Sequence, residues 1–104
     1  MYNAFEKQPG EKYPISVDYL DRMDTGETVS SCAASAYKIT WAMGRISSST
    51  AATAILSSVT HDDGAVQTTV SAGVDGESYK VSISATTSDG KVLEEDILMW
   101  VIAK

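Results

Sequence analysis

The residue types that could carry out a reaction are thinly spread through this chain of 104 residues. Its one histidine, His61, precedes Asp62 and Asp63, a grouping that could serve as a general base or begin a metal site. Neighbours on an extended chain point to opposite faces, however, and a transition metal needs three or four converging ligands. One histidine and one cysteine, Cys32, cannot supply them. The chain has 14 serines, yet none stands in a Gly-x-Ser-x-Gly elbow. The acidic steps Asp62-Asp63-Gly64, Asp75-Gly76-Glu77 and Asp89-Gly90 suggest calcium only by composition; each reads as a turn, without the alternating oxygen ligands of a calcium loop. Gly-rich phosphate signatures and Cys-x-x-Cys pairs are absent. The expectation is a non-enzyme with no catalytic residue, no metal and no cofactor.

Two further groups have bland readings. Cys32 lies in Ser31-Cys-Ala-Ala-Ser-Ala36 and reads as a buried, inert thiol in a chain that can form no internal disulfide. The run Glu94-Glu95-Asp96, inside the last apolar segment, reads as protection of a sheet edge.

The elements that would carry these residues are strands. Nine valines, seven isoleucines and 24 hydroxyl residues stand against four leucines, a composition that fits a pleated surface. Residues 1–14, with Pro9, Pro14 and Gly10, read as an extended N-terminal arm, and 15–104 as a single domain. Ile15, Val17 and Tyr19 alternate with polar residues in a first strand. Residues 28–37 are small and strand-tolerant, with a helix as the competing assignment, and the alternation continues through Tyr37, Ile39, Trp41 and Met43. Gly44 and Ser47-Ser-Ser-Thr50 read as a loop. Ile55, Ser57 and Val59 begin the next strand, which turns at Asp63-Gly64 into Val66, Thr68 and Val70. Tyr79, Val81, Ile83 and Ala85 form the cleanest alternation, and Ser88-Asp-Gly90 returns the chain as a long last strand to Ile102. About seven short strands with turn residues between them predict an all-β, antiparallel two-sheet sandwich, immunoglobulin-like but without the Cys-Trp-Cys pattern of antibody domains.

The last strand is apolar on both faces. Leu93, Ile97, Met99 and Val101 share one face; Val92, Leu98, Trp100 and Ile102 share the other. One face needs a cover, either the arm with Tyr2, Phe5 and Tyr13 or a second protein, so Leu98, Trp100 and Ile102 are the candidate assembly interface, with Trp41 as a further aromatic. The net charge of −6 disfavours nucleic acid and anionic membranes as partners. The longest apolar run, from Ile97 to Ala103, has seven residues, against roughly 20 for a bilayer span. The polar start has no secretory signal pattern, so export by the Sec route is not expected.

Read end to end, Pro9-Gly-Glu11, Ile15-Ser-Val-Asp-Tyr19, Gly26-Glu-Thr-Val-Ser-Ser31 and Glu77-Ser-Tyr-Lys-Val-Ser-Ile-Ser-Ala-Thr-Thr-Ser-Asp-Gly-Lys-Val-Leu-Glu94 resemble a group of small phage and prophage structural proteins of the fibre-tail adaptor, head-tail or neck type. The chain departs from that pattern between Tyr37 and Thr53. The resemblance implies a β-sandwich virion component without catalytic residues, cytoplasmic during assembly and then part of the virion. Its partners would be other phage structural proteins or copies of itself. The alternative is a small ligand- or carbohydrate-binding module of a bacterial protein, which would require Tyr37, Trp41 and Tyr79 to point outward.

Overall fold

Period-two alternation dominates this chain, and the computed structural model is accordingly all strands apart from two single 3-10 turns. It describes residues 3–42 and 45–104, excluding the side chains at 3, 41, 42, 45, 47, 48 and 53. Eight strands are formed: β1 (Asn3–Lys7), β2 (Tyr13–Asp18), β3 (Val29–Ala42), β4 (Arg45–Ala51), β5 (Leu56–His61), β6 (Ala65–Val70), β7 (Ser78–Thr87) and β8 (Val92–Val101). One sheet runs β1-β8-β7-β3-β4 and the other β2-β6-β5. Their inner faces enclose a core that includes Tyr19, Val66, Val70, Val81, Ile83, Ala85, Met99 and Val101, none of them exposed. Each buried aliphatic side chain contributes about 1.5–3 kcal/mol relative to exposure.

The strand count exceeds the expected seven at two places. Residues 3–7, expected within an extended arm, are a strand paired in parallel with β8, Phe5 opposite Met99. They extend the sheet at its edge and do not lie across its outer face. The serine-rich segment expected as a loop is β4, paired with β3 from Tyr37↔Ala51 to Ala42↔Arg45. Residues 28–42 are one strand from Val29 onward, so the competing helix is not formed. Tyr2, Met43 and Gly44 lie outside the described residues.

Both expected Asp-Gly turns are formed. At 62–64 the turn is held by Asp62, whose Oδ1 accepts from the N–H groups of Gly64 and Ala65, both at 2.8 Å. Gly90, at φ +87°, closes the β7–β8 hairpin in the left-handed region that glycine adopts without strain. The expected inward row of Ile55 and Val59 is broken. Ser58 takes a φ of 55° at a register shift between Ser57 and Thr60, so Ile55 enters the core while Val59 is exposed.

Polar ties close the ends. The Tyr19 hydroxyl donates to the Ile83 carbonyl at 2.6 Å, through the core. Lys7 is buried, and its ammonium donates to the carbonyls of Ala72 (2.5 Å), Gln8 (2.8 Å) and Pro9 (3.4 Å). Burial pulls the Lys7 ammonium below its ordinary value, with Glu11 opposing. Among the described residues no buried side-chain nitrogen or oxygen lacks a partner.

Candidate assembly surface

The outer face of the five-stranded sheet is set by the register of β8 with its neighbours. Cross-strand partners share a face, so one row runs Ala4, Leu98, Lys80, Tyr37 and Ala51 across the five strands. The next runs Glu6, Trp100, Ser78, Ile39 and Ser49. Leu98 is 5% exposed although it faces away from the core, because Ala4 and the long Lys80 side chain flank it. The Lys80 ammonium in turn stands 5.5 Å from the centre of the Tyr37 ring. Trp100, 41% exposed, and Ile102, 38% exposed, are left open at the end of β8.

The three candidate interface residues therefore differ. Leu98 is covered within the chain, whereas Trp100 and Ile102 present apolar surface beside Glu6, which is paired with Lys104 at 3.4 Å. Val92, at the other end of the strand, is 68% exposed. On the opposite face Leu93, Ile97, Met99 and Val101 belong to the core, as their spacing predicted. Of the aromatics the binding-module alternative needed, Tyr79 is buried in the core and Tyr37 lies under Lys80. The Trp41 side chain is outside the described residues.

The acidic run divides between the two faces. Glu94 and Asp96 lie on the outer face, where the Ser82 hydroxyl donates to Asp96 at 2.7 Å. Glu95 points inward and pairs with Arg22, whose Nη1 also donates to the Glu94 carbonyl at 3.2 Å. β1 covers β8 only from Ile97 to Val101, so this run sits on the bare half of the strand's edge. That is the place where like charges repel an incoming strand.

The remaining candidates for chemistry do not converge. His61 is exposed, its Nδ1 3.0 Å from the carbonyl of Asp62. The Asp62 carboxylate is held below the usual range by the N–H groups of Gly64 and Ala65. Asp75 accepts from the Ala103 N–H at 2.8 Å. Cys32 is half-buried against the core. Asp24, Glu27 and Asp89 bring carboxylate oxygens within 4.8 Å of one another, a grouping their sequence spacing does not reveal. Lys91 supplies the positive charge there, 3.0 Å from buried Glu27 and 3.5 Å from Asp24. The Thr87 hydroxyl, the Asp24 N–H and Lys91 all donate to Glu27 and keep its carboxyl below the ordinary value, while Glu27 raises Lys91.

Trp100 and Ile102 thus stand exposed at one end of the outer sheet face. No curated protein and no solved structure matches the chain. Residues 7–100, from the end of β1 almost to the end of β8, match the family described as podophage GP4 fiber-tail adaptor protein gp77. The chain belongs to that family of phage fibre-tail adaptor proteins.

Proposed function

We propose that this chain is a non-enzymatic virion adaptor that joins neighbouring phage structural proteins through the outer face of its five-stranded sheet. The observation that carries the reading is Trp100, whose large apolar surface stands open on a fold belonging to a family of adaptors. Large aromatics supply much of the binding energy where interfaces form, and a ring of hydroxyl and charged groups around them excludes water. Ile102 extends the patch, Leu98 lies beside Trp100 on the same face, and the Glu6–Lys104 pair forms its polar rim. The partners are the fibre and tail proteins of the same phage or further copies of the chain. The protein works in the cytoplasm during assembly and afterwards in the virion.

The test is the absolute mass, by light scattering on a sizing column, of the chain alone and mixed with the fibre and tail proteins encoded beside it. Wild type should give a complex of defined stoichiometry. Trp100→Ser should fold normally and weaken that complex by about 30-fold or more, the loss typical of a central aromatic contact. Equal complexes from wild type and variant would remove this face from the adaptor's function.

A further inference from the structure

We propose that the edge of β3 between Ser31 and Ala36 receives a short extended segment of another protein, which adds to the five-stranded sheet as a strand in line with β4. The notch arises from unequal lengths. β3 has 14 residues and β4 seven, and β4 pairs with β3 only from Tyr37 onward. Below that point the chain leaves the sheet, the Ala52 N–H closing on the Ala36 carbonyl at 2.8 Å. On its other side β3 is paired with β7 continuously from Ser31 to Ile39.

Strand alternation fixes which backbone groups are left open. Ala36 directs its carbonyl toward the β4 side, so the N–H and C=O of Ala34 and Cys32 point the same way. Neither has a partner there among the described residues. Ala33 faces the other way, its carbonyl accepting from the Ser84 hydroxyl at 3.5 Å. On the outer face, over β3, β7 and β8, a cavity of about 350 Å³ is floored by Ala33, Ser35, Ser82 and Ser84 and flanked by Lys80 and Glu94.

The other edges carry charge, proline or a bulge, whereas among the described residues only the chain's own 52–63 segment runs beside this one, tied to it by the Ala52 N–H on the Ala36 carbonyl at 2.8 Å and the Val29 N–H on the Asp63 carbonyl at 3.0 Å. β1 carries Glu6 and Lys7; β2 carries Pro14; β4 has an extra residue at Ser47; β5 is kinked at Ser58. The bare half of β8 carries three acids and Arg22. Residues 31–36 hold no charge, no proline and no register break. The occupant is a bare tail or linker. β4 walls off one end of the notch, so a folded sheet edge, including β3 of a second copy with its own β4, would collide with it. A segment of about five residues, roughly 17 Å long, fills the gap. It should be uncharged apart from one basic side chain, because Glu94 lies in the same row as Ala33 and has no ion-pair partner among the described residues. The identity of the donor, a fibre or tail protein, rests on the adaptor reading above.

The experiment follows amide hydrogen exchange in the full chain against overlapping synthetic peptides from the terminal segments of the fibre and tail proteins encoded beside it. One peptide should slow exchange at Cys32 and Ala34 by tenfold or more. Ala34→Pro removes a donor with no internal partner, so it should weaken that peptide about tenfold. Ala33→Pro, which removes an N–H directed at β7, should lower the Tm. Glu94→Lys, an exposed change, should weaken the peptide with the fold intact, even if Ala34→Pro does not fold. No protection by any peptide, or undiminished binding to both Ala34→Pro and Glu94→Lys, overturns the proposal. Complex formation without amide protection would sink this inference and leave the adaptor reading standing; absence of any complex with those proteins would sink the adaptor reading itself.

Discussion

Tyr19, Glu27 and Lys7 each place a polar group where a sandwich would otherwise bury only hydrocarbon. Burial pushes the Tyr19 hydroxyl up to about 12 from its ordinary 10. The folded state therefore holds this proton more tightly than the unfolded chain. The stability it confers is complete below pH 10 and is lost as pH rises from 10 toward about 12. Tyr19→Phe should flatten that alkaline limb, read as Tm against pH, and phenolate absorbance should show one tyrosine ionising late in the wild type. Glu27 has the opposite sign. Its folded carboxyl lies below the ordinary 4.5, so the stability it brings is present above 4.5 and disappears as pH falls through the lower folded value. Glu27→Gln should lose that acid limb, measured by urea midpoints across the acid range. Lys7→Met should cost about 1–3 kcal/mol in the same urea assay, because it strands the Ala72 and Gln8 carbonyls without a donor.

Among the elements, the strands most readable in the sequence are those whose alternation matches their burial. β7 buries Tyr79, Val81, Ile83 and Ala85, and nothing in the sequence competes with that pattern. β1 was hidden because its inward residues are Phe5 and Lys7, and a lysine reads as solvent-facing. The carbonyl that makes Lys7 acceptable in the interior belongs to Ala72, 65 residues away. β4 was hidden because Arg-Ile-Ser-Ser-Ser-Thr-Ala has little apolar alternation; it is a strand because β3 is there to pair with it. The candidate surface divides the same way. The placement of Trp100 and Ile102 followed from counting residues along β8, whereas the cover over Leu98 comes from Ala4 and Lys80, on strands that only the tertiary pairing sets beside it. The β6–β7 connection gives a further test. Gly73 has φ +95°, and a Cβ there would stand 2.7 Å from a Val101 methyl. Gly73→Ala should therefore destabilise by about 1–3 kcal/mol, seen as a lower urea midpoint with an unchanged slope.

For the molecule as a whole, most of the structure is joined by pairings between residues far apart in the chain, and the two sheets exchange the chain repeatedly: β1 to β2, β2 to β3, β4 to β5 and β6 to β7 each change sheet. Such a topology folds slowly for its size, because long loops must close before their pairings stabilise anything. Refolding followed by tryptophan fluorescence should be a single phase on the scale of milliseconds to seconds. A microsecond phase carrying the full amplitude would contradict it. The parallel pairing of β1 with β8 has a mechanical consequence. Tension applied at the two ends of the domain pulls β1 and β8 in opposite directions along their common axis. The hydrogen bonds between Asn3–Lys7 and Ile97–Val101 then share the load in shear and must break together, where an antiparallel terminal pair would unzip one bond at a time. A domain built this way yields abruptly at high force, and gives almost no extension before it does.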